Sequence, residues 1–226
     1  MRIVTGLALA CGLGCLCDQT PTNDSSPSAY QIALHLIDRH GSDRGPLGEA
    51  TVTPQSTRPV PAEVGDGIPF VDVAQPKPGT WPTYHGHLSG NRFSPLDQIN
   101  AGNVQHLAPK WMFTIRGAPR DLQVTPVVAG GVMYVTSVNE AFALDARSGR
   151  EMWHYSRPRT PGLAGDAASG INRGVAVLGD RVFMVTDNAH VIALDRRTGQ
   201  LLWDVEMADA RQNYGATSAP SWSTIS

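Results

Sequence analysis

The stretch VMYVTSVNEAFALDARSGREMW, residues Val132 to Trp153, decides the fold because the chain repeats it. Fifty residues later, Val182 to Trp203 reads VFMVTDNAHVIALDRRTGQLLW, and the two copies align without a gap. Nine of the 22 aligned positions are identical, including the final Trp. A strand-rich repeat with a period of about 40 to 50 residues is typical of the blades of a β-propeller and not of a helical solenoid.

Each copy contains four runs that predict the four antiparallel strands of one blade. In each copy, the second run is rich in β-branched and aromatic residues and follows a tight Gly-containing turn, as the second strand of a hairpin does. The runs before those turns are nearly continuously apolar, which indicates burial on both faces in the innermost strands. The predicted strands are Gln123–Ala129, Val132–Thr136, Ala141–Leu144 and a run to Trp153 in the first copy, and Gly174–Leu178, Arg181–Thr186, Val191–Leu194 and a run to Trp203 in the second.

The segment Ala-Leu-Asp-x-x-Ser/Thr-Gly, followed by Trp, is interpreted as structural in both copies. An Asp or Thr side chain can cap a turn, Gly can supply its left-handed residue, and an indole offers a flat apolar surface between neighbouring sheets. We therefore assign Asp145, Gly149 and Trp153, with their equivalents in the second copy, to holding blades together. Trp111 precedes Trp153 by 42 residues, so it is expected to end a strand of a preceding, incomplete blade.

The amino end is apolar behind a single Arg. Residues 1–17 resemble a secretory signal with an Ala8-Leu9-Ala10 cleavage site, and about a dozen apolar residues are too few to span a bilayer. All three cysteines, Cys11, Cys15 and Cys17, lie in this segment, so a lipid-anchored Cys is an alternative to plain cleavage. A periplasmic or secreted location is predicted, with or without a lipid anchor.

Residues 18–75 are rich in Pro, Ser, Thr, Gly and Asp and are predicted to be a tether with little order. Residues 76–226 are predicted to be the folded domain. The predicted fold class is therefore all-β, a partial β-propeller of two complete four-stranded antiparallel blades and parts of the flanking blades. A net charge of −2 provides no attraction for nucleic acid, and no nucleic-acid partner is expected.

Several motifs together resemble the N-terminal part of the pyrroloquinoline-quinone (PQQ) dependent alcohol dehydrogenases. The resemblance covers about Pro76 to Pro220 and implies an eight-bladed propeller that binds PQQ. The motifs are WPTYHGHLSGNRFSPLDQIN from Trp81, ALDARSGREMW, ALDRRTGQLLW, the Asn172-Arg173-Gly174 step and the Tyr214-Gly215-Ala216-Thr217 step.

The register of the repeats places three polar residues at one equivalent blade position. A shift of 50 residues puts Gln123 on Arg173, and a shift of 94 puts Gln123 on Thr217. Since this position starts the innermost strand, the three side chains are predicted to converge near the axis. An amide, a guanidinium and a hydroxyl suit a planar quinone with three carboxylates.

The resemblance implies that Arg173 pairs with the oxygen and carboxylate edge of the quinone and that Thr217 binds a cofactor carboxylate. Gln123 stands where many family members carry Glu, so its contact would be neutral here. The alternative for all three residues is that they satisfy strand-end backbone and water.

The long connection Ser156 to Asn172, the inter-blade loop, is rich in Pro and Gly, and loops of this length are usually functional. In relatives that oxidise methanol and ethanol, it carries a vicinal cysteine pair on one face of the quinone. The matching positions here are Ala167 and Ala168, so these small side chains are predicted to lie under the ring without a disulfide.

The resemblance places the Ca²⁺ ligands and the catalytic Asp of the family in later blades, so no catalytic or metal-binding residue is assigned here. His85 and His87 lack a third ligand and are not predicted to bind metal. After Ala219-Pro220 the ending lacks the apolar run that the earlier inner strands have. These 226 residues are therefore expected to be the N-terminal portion of a longer enzyme and inactive alone.

The predicted function is that of a periplasmic quinoprotein dehydrogenase. It would oxidise an alcohol or sugar by hydride transfer to PQQ, with Ca²⁺ in the full-length protein and a cytochrome c or quinone as electron acceptor. The alternative is a non-catalytic propeller scaffold of the outer-membrane assembly type, which shares the repeat.

Overall fold

The structure, a computed structural model, describes residues 5–9, 66–115 and 122–224. The described elements are β1 (Thr5–Leu9), α1 (Phe70–Ala74), β2 (Val127–Ala129), β3 (Val132–Ser137), β4 (Glu140–Asp145), β5 (Glu151–Ser156), β6 (Ala176–Leu178), β7 (Arg181–Val185), β8 (His190–Asp195), β9 (Leu201–Glu206) and β10 (Pro220–Thr224). Three short 3-10 helices lie at Val104–His106, Gly165–Ser169 and Ala210–Gln212.

Two four-stranded antiparallel sheets, β2-β3-β4-β5 and β6-β7-β8-β9, are the two complete blades that the repeat predicts. The β4–β5 and β8–β9 pairings share one register, because Ala143 lies opposite Trp153 in the first sheet and Ala193 opposite Trp203 in the second, whereas the β3–β4 and β7–β8 pairings differ by one residue. Both sheets also have an irregularity directly after that alanine. The innermost strands are shorter than predicted, since residues before Val127 and Ala176 contact neighbouring blades instead of continuing the ladder.

The core lies between the two sheets and is formed by their inward-facing side chains. It includes Tyr134 and Tyr155 from the first sheet and Met184, Ile192 and Leu194 from the second, each no more than 1% exposed. Burying side chains of this size stabilises the fold by about 1.5 to 3 kcal/mol each relative to leaving them exposed. Packing between sheets therefore joins the two blades into one unit.

The turn that both copies of the repeat share is capped by its Asp, as predicted. In the first blade, one carboxylate oxygen of Asp145 accepts hydrogen bonds from the backbone N–H groups of Arg147 and Ser148 and from the Ser148 hydroxyl. Asp195 makes the same contacts with Arg197 and Thr198. These bonds hold the pKa of Asp145 below its usual value, although slight burial opposes the shift.

Residues 66–75, which the composition assigned to the tether, are folded against the blades. Ile68 pairs with Gly179 in an antiparallel bridge, and α1 begins directly afterwards. Ile68 is 6% exposed and Val73 is fully buried, so two apolar side chains anchor this segment on the blades. The described region that continues into the blades thus begins at residue 66, ten residues before the boundary expected at Pro76, while most of the predicted tether lies outside the described residues.

The two ends of the described chain meet in a small sheet. The backbone of β1 pairs antiparallel with β10, from Thr5 opposite Thr224 to Leu9 opposite Pro220. Trp222 of β10 is buried, donates its indole N–H to the carbonyl of Val177 at 3.1 Å, and packs edge-on against Phe183. The ending has no run of aliphatic residues, and the indole of Trp222 supplies the apolar contact with the second blade instead.

Within the described residues, no helix has both the length and the apolar character needed to cross a membrane.

Candidate functional site

The starts of three consecutive inner strands are joined by backbone hydrogen bonds. The N–H of Thr125 donates to the carbonyl of Arg173 at 3.1 Å, and the N–H of Arg173 donates to the carbonyl of Thr217 at 3.0 Å. Thr125 precedes β2, Arg173 precedes β6 and Thr217 precedes β10, so three blades contribute. The backbones of equivalent regions of successive blades therefore lie side by side at this point.

Gly174 permits this close approach. Its φ is 135°, and a Cβ there would lie 3.0 Å from the carbonyl oxygen of Thr125 and 3.6 Å from the Cβ of Ala219. An L side chain would be strained at that φ and crowded between two neighbouring strands. Glycine after Arg173 therefore lets the three inner strands pack together at this end.

Arg173 and Thr217 meet through their side chains as well. The Nη1 of Arg173 donates to the Oγ1 of Thr217, and both residues are half-buried. A guanidinium has five N–H donors, and this bond uses one. Among the described residues, no carboxylate lies within salt-bridge distance of Arg173 and no other acceptor binds its guanidinium. The site therefore presents a positive charge and free donors where the strands begin.

Gln123, the third residue predicted at this site, is exposed. Its side chain makes no hydrogen bond to any of the described residues. Gln123 lies two residues before Thr125, which is the residue bonded to Arg173. The structure thus brings Arg173 and Thr217 into contact and shows no contact of the Gln123 amide with either of them.

Asn172, which the sequence marked only as part of a motif, fixes the backbone on which Arg173 sits. Its Oδ1 accepts from the Thr136 hydroxyl at 2.7 Å and from the Gly174 N–H at 2.9 Å. Its Nδ2 donates to the carbonyl of Val185 at 3.0 Å. Asn172 is 4% exposed, so this buried amide ties the first blade, the second blade and the Arg173 turn together.

The inter-blade loop leads directly into this turn. Ala167 and Ala168 lie in its 3-10 helix, Gly165–Ser169. Ala168 is exposed and its carbonyl accepts a hydrogen bond from Arg159 at 3.2 Å. The side chain of Ala167 lies outside the described residues. The predicted place of both alanines beneath a quinone ring stays a prediction.

Across the described residues, no cluster of three or more His, Cys, Asp or Glu side chains could hold a metal ion. The Nδ1 of His85 accepts from Arg92 at 3.2 Å, and the Nδ1 of His87 lies 3.0 Å from the hydroxyl of Ser89. Both histidines therefore make hydrogen bonds within their own loop.

The sequence profile of one protein family matches residues 81–204, more than half of the chain. That family carries the short name PQQ and is described as "Glucose/ethanol/alcohol dehydrogenase, beta-propeller domain". The chain belongs to this PQQ-dependent alcohol dehydrogenase family. The match contains the first blade, Arg173 and most of the second blade, and ends within β9.

Individual members of the PQQ-dependent family show the same likeness. The quinoprotein alcohol dehydrogenase PedH of Pseudomonas putida is 40% identical over 135 residues, which are 59% of this chain and 22% of that protein. The 1-butanol dehydrogenase (quinone) of Thauera butanivorans is 37% identical over 165 residues, 71% of this chain and 26% of that protein.

A solved structure agrees with the fold. The quinohemoprotein alcohol dehydrogenase ADHIIG of Pseudomonas putida superposes with a TM-score of 0.62 at 34% identity, over 70% of this chain and 24% of that one. The chain spans about a quarter of the length of the relatives that it matches. The partial β-propeller predicted from the repeat is confirmed.

The residues present fit the quinone of this family. Free guanidinium donors on Arg173 and a hydroxyl on Thr217 can bind carboxylate oxygens, and PQQ carries three carboxylates. Asn172 and Gly174 hold the backbone of Arg173 between two blades, so these donors are preorganised.

Proposed function

We propose that these residues form part of a PQQ-dependent dehydrogenase and that Arg173 and Thr217 bind the carboxylate edge of the quinone. The observation that carries this proposal is the half-buried guanidinium of Arg173, bonded to a neutral hydroxyl with no carboxylate partner among the described residues. A partly buried charge without a counterion favours an anionic ligand.

The chemistry of the two donors gives them separate tasks. Arg173 supplies positive charge and can bind two carboxylate oxygens at once. Thr217 accepts one hydrogen bond from Arg173, so its own hydroxyl proton is free to donate. Together they can orient a planar acid across the starts of two neighbouring strands.

When bound, PQQ would supply the electron-accepting carbonyl for oxidation of an alcohol or sugar. The residues of this chain would bind and orient the cofactor and exclude water from one of its edges. In this family the ligands of the cation and the proton-accepting carboxylate lie in later blades. We propose that the cation is Ca²⁺. We therefore propose that oxidation of the substrate requires a protein as long as the relatives, which includes those blades.

We further propose that the protein acts in the periplasm and passes electrons to a cytochrome c or a quinone. The apolar, cysteine-containing residues 1–17 support export, and relatives described as quinohemoproteins support a haem acceptor. Fractionation of the producing cell, with the chain found in the cytoplasm, would contradict the location.

The test is a titration of the 226-residue chain with PQQ, followed by quenching of tryptophan fluorescence. Arg173→Gln should weaken binding by about tenfold or more, because a charge-assisted contact of about 1.5 to 3 kcal/mol is lost. Arg181→Gln is the matched control, since Arg181 begins β7 at the opposite end of the β6–β7 hairpin.

An unchanged affinity for Arg181→Gln and a weakened one for Arg173→Gln support the proposed cofactor site. Equal affinities in the two variants, or no binding of PQQ by the wild-type chain, reject it and favour a propeller scaffold. With PQQ and Ca²⁺ supplied, these residues alone are expected to oxidise no alcohol, and dye reduction by the purified chain would contradict that.

A further inference from the structure

Asp187 is a fully buried carboxylate at the end of β7, in the turn to β8. Its Oδ2 accepts from the Nε of Arg159 at 3.0 Å and from the backbone N–H of Thr160 at 3.0 Å. Its Oδ1 accepts from the hydroxyl of Thr160 at 3.0 Å. All three donors belong to the inter-blade loop.

The first blade completes this attachment through Asn139. The Oδ1 of Asn139 accepts from the N–H of Asp187 at 2.9 Å, and its Nδ2 donates to the carbonyl of Pro158 at 3.0 Å. Asn139 is 1% exposed and has a φ of 57°, so it occupies the β3–β4 turn in a conformation that Asn tolerates better than most residues. The loop is thereby fastened to both blades at its beginning.

Arg159 links Asp187 to the part of the loop that contains Ala167 and Ala168. While its Nε binds Asp187, its Nη2 donates to the carbonyl of Ala168 at 3.2 Å. A Cβ on Gly170 would lie 2.8 Å from the Nη1 of Arg159, so the guanidinium packs against Gly170. One guanidinium therefore joins Asp187 to the part of the loop that runs into Asn172 and Arg173.

A buried carboxylate requires hydrogen-bond donors, because burial without them costs several kcal/mol. The inter-blade loop supplies all of the side-chain contacts that the structure shows for Asp187. Folding of the loop in this conformation and burial of the charge therefore depend on each other.

We propose that Asp187 is a positioning residue that holds the inter-blade loop, through Arg159, in the conformation needed beside the Arg173–Thr217 site. Asp187 touches neither Arg173 nor Thr217 in the structure, so it acts through the loop and not as a cofactor ligand. The inference rests on the proposed PQQ site and adds the device that shapes one of its walls.

The experiment compares Asp187→Asn and Arg159→Gln with the wild-type chain. Each variant removes one charge and keeps a polar side chain, which is of the same size at position 187 and shorter at position 159. Asp180→Asn is the matched control, because Asp180 is an exposed carboxylate in the β6–β7 turn, at the opposite end of the same blade. Arg159 is 45% exposed in its side chain, so Arg159→Gln should fold even if Asp187→Asn does not.

Two quantities are measured, the hydrogen exchange of loop amides and the affinity for PQQ. Both variants should raise the hydrogen-exchange rate of residues 160–171 about tenfold, because losing a hydrogen bond to a charged group costs about that factor in stability. The exchange rates in β3 and β8 should stay unchanged. PQQ affinity should fall by a similar factor. The double variant should lose little more than either single one, because the two residues share one contact.

The proposal is overturned if loop exchange in both variants equals that of Asp180→Asn. It is also overturned if the loop loosens while PQQ affinity stays within twofold of wild type. If the wild-type chain binds no PQQ, the cofactor site fails, and hydrogen exchange then decides by itself whether Asp187 holds the loop.

Discussion

The indole of Trp153, in the first blade, packs against Gly199 of the second so closely that a Cβ on that glycine would lie 2.7 Å from the ring. The indole N–H donates to the carbonyl of Arg196 at 2.9 Å, within the same turn. Trp111 packs against Gly149 with the same close approach, 42 residues before Trp153. The repeat therefore encodes contacts between blades, in which each Trp fits the turn of the next copy.

Gly199→Ala should destabilise the chain by about 2 to 4 kcal/mol, because it adds a clash with the indole to the cost of a left-handed alanine. Gly131→Ala separates the two effects, since Gly131 has a similar φ of 77° against 72° and nothing within 4 Å of its Cβ position. That control should cost only about 1 to 2 kcal/mol. Urea unfolding measures both, and equal losses would contradict the packing role of Trp153.

Asn172 and Thr136 should show a coupling energy in a double-mutant cycle. Asn172→Ala leaves a buried hydroxyl, a backbone N–H and a backbone carbonyl without their partner, at a cost of about 2 to 4 kcal/mol. Thr136→Val should then add little, which corresponds to a coupling of at least about 0.5 kcal/mol.

Thr186→Val is the control for that cycle. Thr186 is the repeat equivalent of Thr136, but its hydroxyl donates to Asn188 at 2.7 Å and not to Asn172. Its effect should therefore add to that of Asn172→Ala in urea unfolding. If Thr136 and Thr186 behave alike, the bridge between blades contributes nothing specific.

Asp204 should make the chain sensitive to acid. Burial alone would raise its pKa, but the hydrogen bond from His190 at 2.7 Å and the charge of Arg157 at 2.9 Å outweigh burial and hold the pKa below the usual 3.8. The unfolded chain thus binds this proton more tightly than the folded one. Its contribution to stability is present above about pH 4 and is lost as the pH falls below that value.

Asp204→Asn should accordingly be less stable than wild type at about pH 6, and the difference should shrink as the pH is lowered toward about 3. Thermal unfolding across this range measures it. Asp180→Asn, at an exposed carboxylate 4.0 Å from Arg197, should show no such trend. If the difference in stability between Asp204→Asn and wild type does not change with pH, the charge of the Asp204 carboxylate does not stabilise the contact between Arg157 and the second blade.

Thr217→Val should weaken PQQ binding by about five- to tenfold, because it keeps the shape of the side chain and removes its hydroxyl. Thr217→Ser retains the hydroxyl and should bind within about twofold of wild type. The same fluorescence titration measures both variants. If valine and serine bind equally well, Thr217 merely supports Arg173 and does not contact the cofactor.

The architecture of the blades could be predicted because its causes are local and occur twice. The Asp145 turn, the glycine after it and the Trp recur at a spacing of 50 residues, and each acts within its own hairpin or on the next copy. The meeting of Arg173 with Thr217 followed from the same register. Gln123, assigned by that register too, makes no contact with them, since the hydrogen bond between blades begins at Thr125.

By itself, the sequence determined the repeat, the strand order within each blade and the position of Arg173, because periodic side chains specify burial and turns over short distances. Tertiary structure alone decided that Asp187 binds Arg159 and that Asn172 reaches Thr136, contacts across 28 and 36 residues. It also decided that Ile68 folds against Gly179. Such contacts form because packing of the blades brings distant segments together, and a local sequence pattern does not predict them.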